Sequence, residues 1–360
     1  EVMTRSGMAK RLIDLIRIAV GRVPGGIAIT TVVAAEAFGS VCGSSMATIS
    51  AIGKALYPGL RESRYSESFS LGLITSMGAI ALIIPPGITM ILYGAVASVS
   101  VVKLFLAGVV PGIVIGLLIA IYSITYALKN NVASGNAPFR WKATVKAARE
   151  AFWTLLSPVI IFGGIYGGFF TPTEASIVLS LYCIVVALFI YRSIDLRGLW
   201  DASLVTAYLV SKIFLIVAAA STMSLILVLA DIPDRLLELI APLHASPSTV
   251  LLAINVILII AGMFIEPFPA IVILVPLFAP LVASIGINEI HFGIIVIVNL
   301  AIGMFAPPFG LNIFMSSSIL NVSALKVGRS CVPFMAIYLL ALGLITYVPA
   351  ISLWLPNIWS

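Results

Sequence analysis

The sequence predicts an all-α polytopic membrane protein made of two inverted repeats. Each repeat pairs a re-entrant helical hairpin with a transmembrane helix broken by Pro-Pro. Three observations predict it: long apolar runs almost free of charge, basic residues gathered in alternate loops, and landmarks that recur in the same order along the chain.

Composition sets the class. Hydrophobic residues make up 61% of the 360 and charged ones 9%, where a soluble domain carries about 25% charged residues. The apolar runs are long enough to cross a bilayer as helices. They are continuous rather than alternating, which argues against an outer-membrane barrel. The chain opens at Glu1 with a charged amphipathic stretch and shows no signal-peptide pattern. Cys42, Cys183 and Cys331 sit singly in apolar surroundings and read as packing thiols, not a disulfide framework.

Hydropathy places helices at 24–39, 46–57, 66–98, 104–128, 151–169, 174–192, 206–230, 249–264, 269–284, 291–320 and 330–355. Those at 66–98 and 291–320 carry a central Pro-Pro. The pairs 24–39 with 46–57 and 249–264 with 269–284 are short or interrupted, and tight turns, GSVCGSS and MFIEPFP, join them. They predict hairpins at 24–57 and 249–284 that enter and leave on one side.

Loop charge gives orientation. Segments 1–22, 54–64, 129–149, 192–197 and 326–329 hold 17 of the 20 Lys and Arg residues. The positive-inside rule makes them cytoplasmic, so the net charge of +6 needs no nucleic acid to explain it. The C-terminus then faces the periplasm. Lys212 sits just inside a span and reads as a snorkelling side chain.

The repeat is the most informative feature. Pro58 precedes Pro85 by 27 residues, as Pro280 precedes Pro307. RLIDLI at 11–16 matches RLLELI at 235–240, and VSVVK at 99–103 matches VSALK at 322–326. Pro111 and Pro333 follow the last pair at similar spacing. Because Arg11 falls inside and Arg235 outside, the repeats are expected to be inverted, the architecture of secondary transporters. The first repeat spans 1–128, a basic cytoplasmic linker 129–149, and the second repeat 150–360. The pattern also expects N-terminal spans, roughly 75 residues, ahead of Glu1.

A Pro-Pro break in mid-membrane leaves carbonyls without donors, which is tolerated where they are buried in protein or line a polar cavity. Carbonyls and hydroxyls are hard ligands suited to Na⁺, and helix N-termini favour a carboxylate. The facing segments are GSVCGSS with ALIIPPG and GMFIEPFP with GMFAPPFGLN. The substrate-facing candidates are Ser44, Ser45, Thr48, Pro86, Gly87, Glu266, Asn299, Pro308, Gly310 and Asn312. Ser44, Ser45 and Thr48 also suit plain helix packing. Glu36 and Glu266 lie within hairpins, where a carboxylate is a functional candidate. Glu266, at a tip, is the better one, and reaching an interhelical hydroxyl is the simpler alternative for Glu36. His291 is expected at the outer interface, and Glu174 at a helix start capped by Thr171 or Thr173 with Pro172. Nucleotide, zinc and nucleophile signatures are absent from the sequence.

GSSMAT, LIIPPGITMILYG, VSVVKLFLAGVVPG, FFTPTEAS, HFGIIVIVNLAIGMFAPPFGLNIF and ITYVPAISLWLP resemble the large membrane subunit of tripartite ATP-independent periplasmic (TRAP) transporters, over the whole chain. The resemblance implies an elevator-type ion-transporter fold in the bacterial inner membrane. It implies no enzymatic activity and no cofactor beyond Na⁺ as coupling ion. Its implied partners are a small four-helix membrane subunit and a periplasmic substrate-binding protein that delivers an organic anion: a C4-dicarboxylate, a sialic acid or a keto acid. The implied sodium ligands are Ser40, Cys42, Gly43 and Ser45 with Ala81, Ile84 and Pro85, and a second set of Gly262, Gly303, Ala306 and Phe309. Cys42, Ala81, Ala306 and Glu266 depart from the Ser, Gly, Thr and Asp usual at these positions. A stand-alone sodium–dicarboxylate symporter and an intramembrane enzyme using Glu266 and His291 are the alternatives.

Overall fold

The two helices read as broken spans form the centre of the molecule. The computed structural model describes residues 1–20, 25–132, 141–233, 235, 238 and 246–359, with backbone alone for 141–143. Among the described residues every regular element is helical. Residues 133–140 of the expected linker, most of RLLELI, and Pro24 lie outside the described residues.

The first part of the chain holds α1 (Val2–Arg5), α2 (Met8–Val20), α3 (Gly26–Cys42) and α4 (Ser45–Glu62). Then come α5 (Glu67–Ala79), a single 3₁₀ turn (Ile80–Leu82), α6 (Ile88–Ala97) and α7 (Val101–Lys129). The middle of the chain forms α8 (Trp141–Tyr166), α9 (Pro172–Val185, continuing as a π turn over Val186–Ile190) and α10 (Leu196–Leu229). The last part holds α11 (Pro247–Phe264), α12 (Pro267–Ser284), α13 (Glu289–Phe305), α14 (Leu311–Leu320), α15 (Ala324–Tyr347) and α16 (Ala350–Trp359). Among the described residues seven helices are long and apolar enough to cross a membrane.

Helices α5 and α13 are buried on every face, α5 from Phe69 and α13 from His291 onward. A helix apolar all round belongs inside a bundle, and α4, α7, α11 and α15 cover these two. Helix α10 is the opposite case: nearly all of its apolar surface is exposed, as suits a helix facing lipid. Glu67 and Lys326 form an ion pair at 2.7 Å, so the first turn of α5 and the first turn of α15 lie on one side.

The paired landmarks share local structure. Both Pro-Pro peptides are cis. Helices α6 and α14 end at Ser98 and Asn321, each with positive φ, and each end closes with a bond from the next residue, Val99 N–H to Gly94 O and Val322 N–H to Ser317 O. This closure satisfies carbonyls the helix leaves orphaned. Pro111 and Pro333 lie inside α7 and α15.

Several boundaries differ from hydropathy. Helix α4 runs past 57 to Glu62 with Pro58 inside it, where the proline removes one helical bond, to residue 54, without ending the helix. Helix α10 begins at Leu196 rather than 206, where the Asp195 carboxylate accepts from the Gly198 N–H at 2.7 Å. Lys212 therefore lies well along α10 rather than near its start, with its ammonium 4.2 Å from the Tyr208 ring. The expected span 330–355 is two helices, divided at Val348–Pro349. Glu174 sits as expected: Thr171 and Glu174 form a capping box with Pro172 at the first helical position.

Candidate ion and substrate site

Each break removes specific hydrogen bonds. The helical donors to the carbonyls of residues 81 and 82 would be the N–H groups of Pro85 and Pro86, which have none. Leu82 O is recovered by the Thr89 hydroxyl at 2.9 Å. In the second break Pro307 and Pro308 remove the donors to Gly303 and Met304. Gly303 O accepts instead from the Ala306 N–H at 3.2 Å, and Ala306 O from the Gly310 N–H at 3.0 Å. Ala81, Ile83 and Ala306 are buried at these breaks, while Phe309 is half exposed.

Each hairpin tip lies against its own break. Helix α3 ends at Gly43, whose φ of +57° suits glycine, and Ser44 caps α4 by accepting from the Ala47 N–H at 3.4 Å. A Cβ on Gly39 would lie 2.9 Å from the Ala81 Cα, and one on Gly43 would lie 3.2 Å from the Pro86 carbonyl oxygen. In the second pair a Cβ on Gly303 would lie 2.4 Å from the Gly262 carbonyl carbon, so these backbones touch. Ile265 is extended, and Glu266 occupies the N-cap of α12 without a side-chain capping bond. The Phe264 and Phe309 rings pack at 5.1 Å over this tip.

The two halves then cross over. Helix α4 packs on α14, and α12 on α6. At the first crossing the Ser45 hydroxyl donates to Asn312 Oδ1 at 2.8 Å, and the Asn312 amide donates to the Thr75 carbonyl at 3.4 Å. Thr75 and Ser316 hydroxyls meet at 2.8 Å in the same cluster. Four helix N-termini therefore belong to these tips and breaks: α4, α6, α12 and α14. Gly87, Glu266 and Gly310 supply no side-chain cap to the last three. The uncapped starts of α6 and α14 thus lie beside carbonyls whose helical donors proline removes, of which Leu82 O and Gly303 O have found others. The start of α12 keeps only the Phe268 N–H, because Pro267 and Pro269 have none.

The other candidates are placed as follows. Ser40 donates to Ala37 O at 3.0 Å and Thr48 to Ser44 O at 2.9 Å, with the Cys42 sulfur 3.3 Å from the Thr48 hydroxyl. Asn299 is not brought to Ser45 and Asn312: its amide donates to Asn255 Oδ1 and to Ile295 O, both at 2.7 Å. Among the described residues Glu36 reaches no hydroxyl; its carboxylate lies over Gly116, where a Cβ would stand 1.6 Å from Oε1. His291 is buried within the protein in the first turn of α13, and Ser352 and the Thr346 carbonyl take up both ring nitrogens. Among the described residues no His, Cys, Asp and Glu group is placed to hold a metal ion. Thr75, Ser316, Thr89 and Asn255 escaped the sequence reading, since a hydroxyl in an apolar helix commonly bonds its own preceding turn, as Thr75 also does to Leu71 O at 2.7 Å.

Fold and site define a multi-pass membrane permease, with paired helix tips and breaks in the middle of the bundle. The chain belongs to the DctM component family of tripartite ATP-independent periplasmic transporters, whose model matches residues 1–351. Relatives include the C4-dicarboxylate TRAP transporter large permease protein DctM of Pseudomonas aeruginosa, 41% identical over 99% of this chain and 83% of that protein. The ectoine TRAP transporter large permease protein TeaC of Halomonas elongata is 37% identical over 99% of this chain and 84% of its own length. The 2,3-diketo-L-gulonate TRAP transporter large permease protein YiaN of Escherichia coli is 34% identical over 100% and 84%. These are transporter permease subunits, not enzymes.

Proposed function

We propose that this chain is the translocating subunit of a sodium-coupled importer of an organic carboxylate in the bacterial inner membrane. A C4-dicarboxylate, a sialic acid or a keto acid is the substrate class. The observation that carries the reading is the pairing of each break with its own hairpin tip, where carbonyls robbed of donors by proline lie beside uncapped helix starts.

Sodium is taken at the two tip-and-break pairs, by Ser40, Cys42, Gly43, Ser45, Ala81, Ile84 and Pro85 and by Gly262, Gly303, Ala306 and Phe309. The carboxylate is held by the starts of α4, α6, α12 and α14, with Ser45 and Asn312 orienting it. The hairpins and broken helices move together as an elevator, and the matched local structure of the two halves supports their reading as inverted repeats. A periplasmic binding protein delivers the substrate, a small four-helix subunit completes the membrane part, and the C-terminus is periplasmic.

The test is uptake of labelled organic acids into proteoliposomes holding the full-length subunit and its small partner. Uptake that needs both a sodium gradient and the binding protein is the expected result. Sodium-dependent uptake without the binding protein would support a stand-alone symporter instead. No uptake of any organic acid would overturn the proposal.

A further inference from the structure

His291 is buried, 1% exposed, in the first turn of α13, and the proposed transport site makes no use of it. Its Nδ1 lies 2.6 Å from the Ser352 hydroxyl at the start of α16, and its Nε2 lies 3.3 Å from the Thr346 carbonyl near the end of α15. A carbonyl can only accept, so Nε2 carries a proton in every state. The Ser352 hydroxyl has one proton and two acceptors, Nδ1 at 2.6 Å and the Pro349 carbonyl at 3.1 Å.

Two arrangements follow. With the imidazole neutral, Ser352 donates to Nδ1. With Nδ1 protonated, the ring donates to the Ser352 oxygen, and the hydroxyl turns its own proton to the Pro349 carbonyl. Each leaves both ring nitrogens and the hydroxyl satisfied. A buried group that gains a charge without stranding a donor or acceptor avoids the usual penalty for an unmade bond.

The surroundings favour occupancy by a cation on one side. Thr346 lies in the last turn of α15, and the carbonyl end of a helix attracts positive charge. The first turn of α13 opposes it. Glu289, exposed and two residues away, brings the site close to water. On the elements packed around α13 the titratable and charged groups nearest this end are Lys103 of α7, Tyr93 of α6 and Tyr347 of α15. Tyr93 donates to Glu289 O at 2.8 Å and Tyr347 to Ser248 O at 3.3 Å, so neither bonds the ring. Helices α11, α12, α14 and α16 contribute no titratable side chain. Glu67 of α5 and Lys326 and Arg329 of α15 belong to the opposite ends of their helices.

We propose that His291 is a proton-binding site, with Thr346 and Ser352 as its fixed partners, that modulates the contact between α11 and α13. Protonation turns Ser352 onto Pro349, within the first turn of α16 itself. It also puts a positive charge on the ring whose Nε2 donates to the Thr346 carbonyl of α15, which strengthens that bond. Thr346 carries the effect inward, because its hydroxyl accepts from Asn255 at 3.2 Å and Asn255 accepts from Asn299 at 2.7 Å. Asn299 lies one turn before Gly303, where the second hairpin touches the break.

The experiment is nitrogen NMR of histidine-labelled full-length transporter, with the His291 signals identified by their loss in His291→Gln. The expected result is titration within about pH 5–8, with a midpoint moved toward acid by about one pH unit in Ser352→Ala. A signal that stays neutral across that range, or a midpoint indifferent to Ser352→Ala, would overturn the site. Uptake at a fixed sodium gradient should vary severalfold across the same range in the wild type and be flat in His291→Gln. Identical pH profiles would overturn the modulation. Should His291→Gln fail to fold, the response of the histidine titration and the uptake profile to Ser352→Ala decides both points.

Discussion

Replacing Gly303 with alanine tests how closely the second hairpin must approach its break. The new Cβ would stand 2.4 Å from the Gly262 carbonyl carbon and 2.7 Å from its oxygen. Carbon atoms pack at about 3.5 Å or more, so the two backbones must part by about 1 Å. Overpacking of this kind costs about 1–3 kcal/mol, or about 5- to 150-fold in an equilibrium. The oxygen cradle proposed for the second sodium ion opens by the same distance. The reverse substitution, Gly262→Ala, meets Gly303 Cα at 3.3 Å and needs a movement of a few tenths of an ångström. Gly343→Ala meets nothing within 4 Å and is the control. Sodium-dependent uptake in proteoliposomes should fall by one to two orders of magnitude in Gly303→Ala, by less than about fivefold in Gly262→Ala, and remain unchanged in Gly343→Ala, with equal membrane insertion throughout. Wild-type uptake in Gly303→Ala, or a larger loss in Gly262→Ala, would refute the reasoning.

Further outcomes follow from the same packing. Ser45→Ala strands the buried Asn312 Oδ1 and should cost about 1–3 kcal/mol; a double-mutant cycle with Asn312→Leu in detergent unfolding should show the two losses failing to add. Gly72→Ala places a Cβ 2.1 Å from the Ser330 carbonyl oxygen, so α5 and α15 must separate and the melting temperature should fall by several degrees. Lys326→Ala removes a partly exposed ion pair with Glu67 and should change stability by about 1 kcal/mol or less, with the difference shrinking in high salt.

Much of this arrangement was legible in the sequence because membrane helices announce themselves. The Pro-Pro pairs marked both breaks, and GSVCGSS and MFIEPFP marked both tips, since no ordinary span would place them in hydrocarbon. Hydropathy misplaced the ends of α4, α8 and α10 because it reports where the bilayer lies, whereas a helix continues into the headgroup region as long as its backbone bonds and cap permit. The start of α10 was set by Asp195, a charged residue outside any apolar run. The partners of the polar residues were not legible. Ser45 and Asn312 are 267 residues apart, and Thr75 and Ser316 are 241 apart. Nothing in a local pattern says that Asn299 turns to Asn255 rather than to Asn312, because an amide is satisfied by any buried polar neighbour. The partners of His291 were hidden for a related reason: it lies near a helix start, and its burial is decided in part by Ser352 of α16, 61 residues further on.

The claim on which the account rests is that each tip-and-break pair is an ion site. Radiolabelled sodium binding to the purified full-length subunit, without substrate or binding protein, tests it most directly. Saturable binding that is halved by Gly303→Ala and abolished when Gly39→Val is added would agree with the account. Undiminished binding in the double variant, or no saturable sodium binding by the wild type, would contradict it.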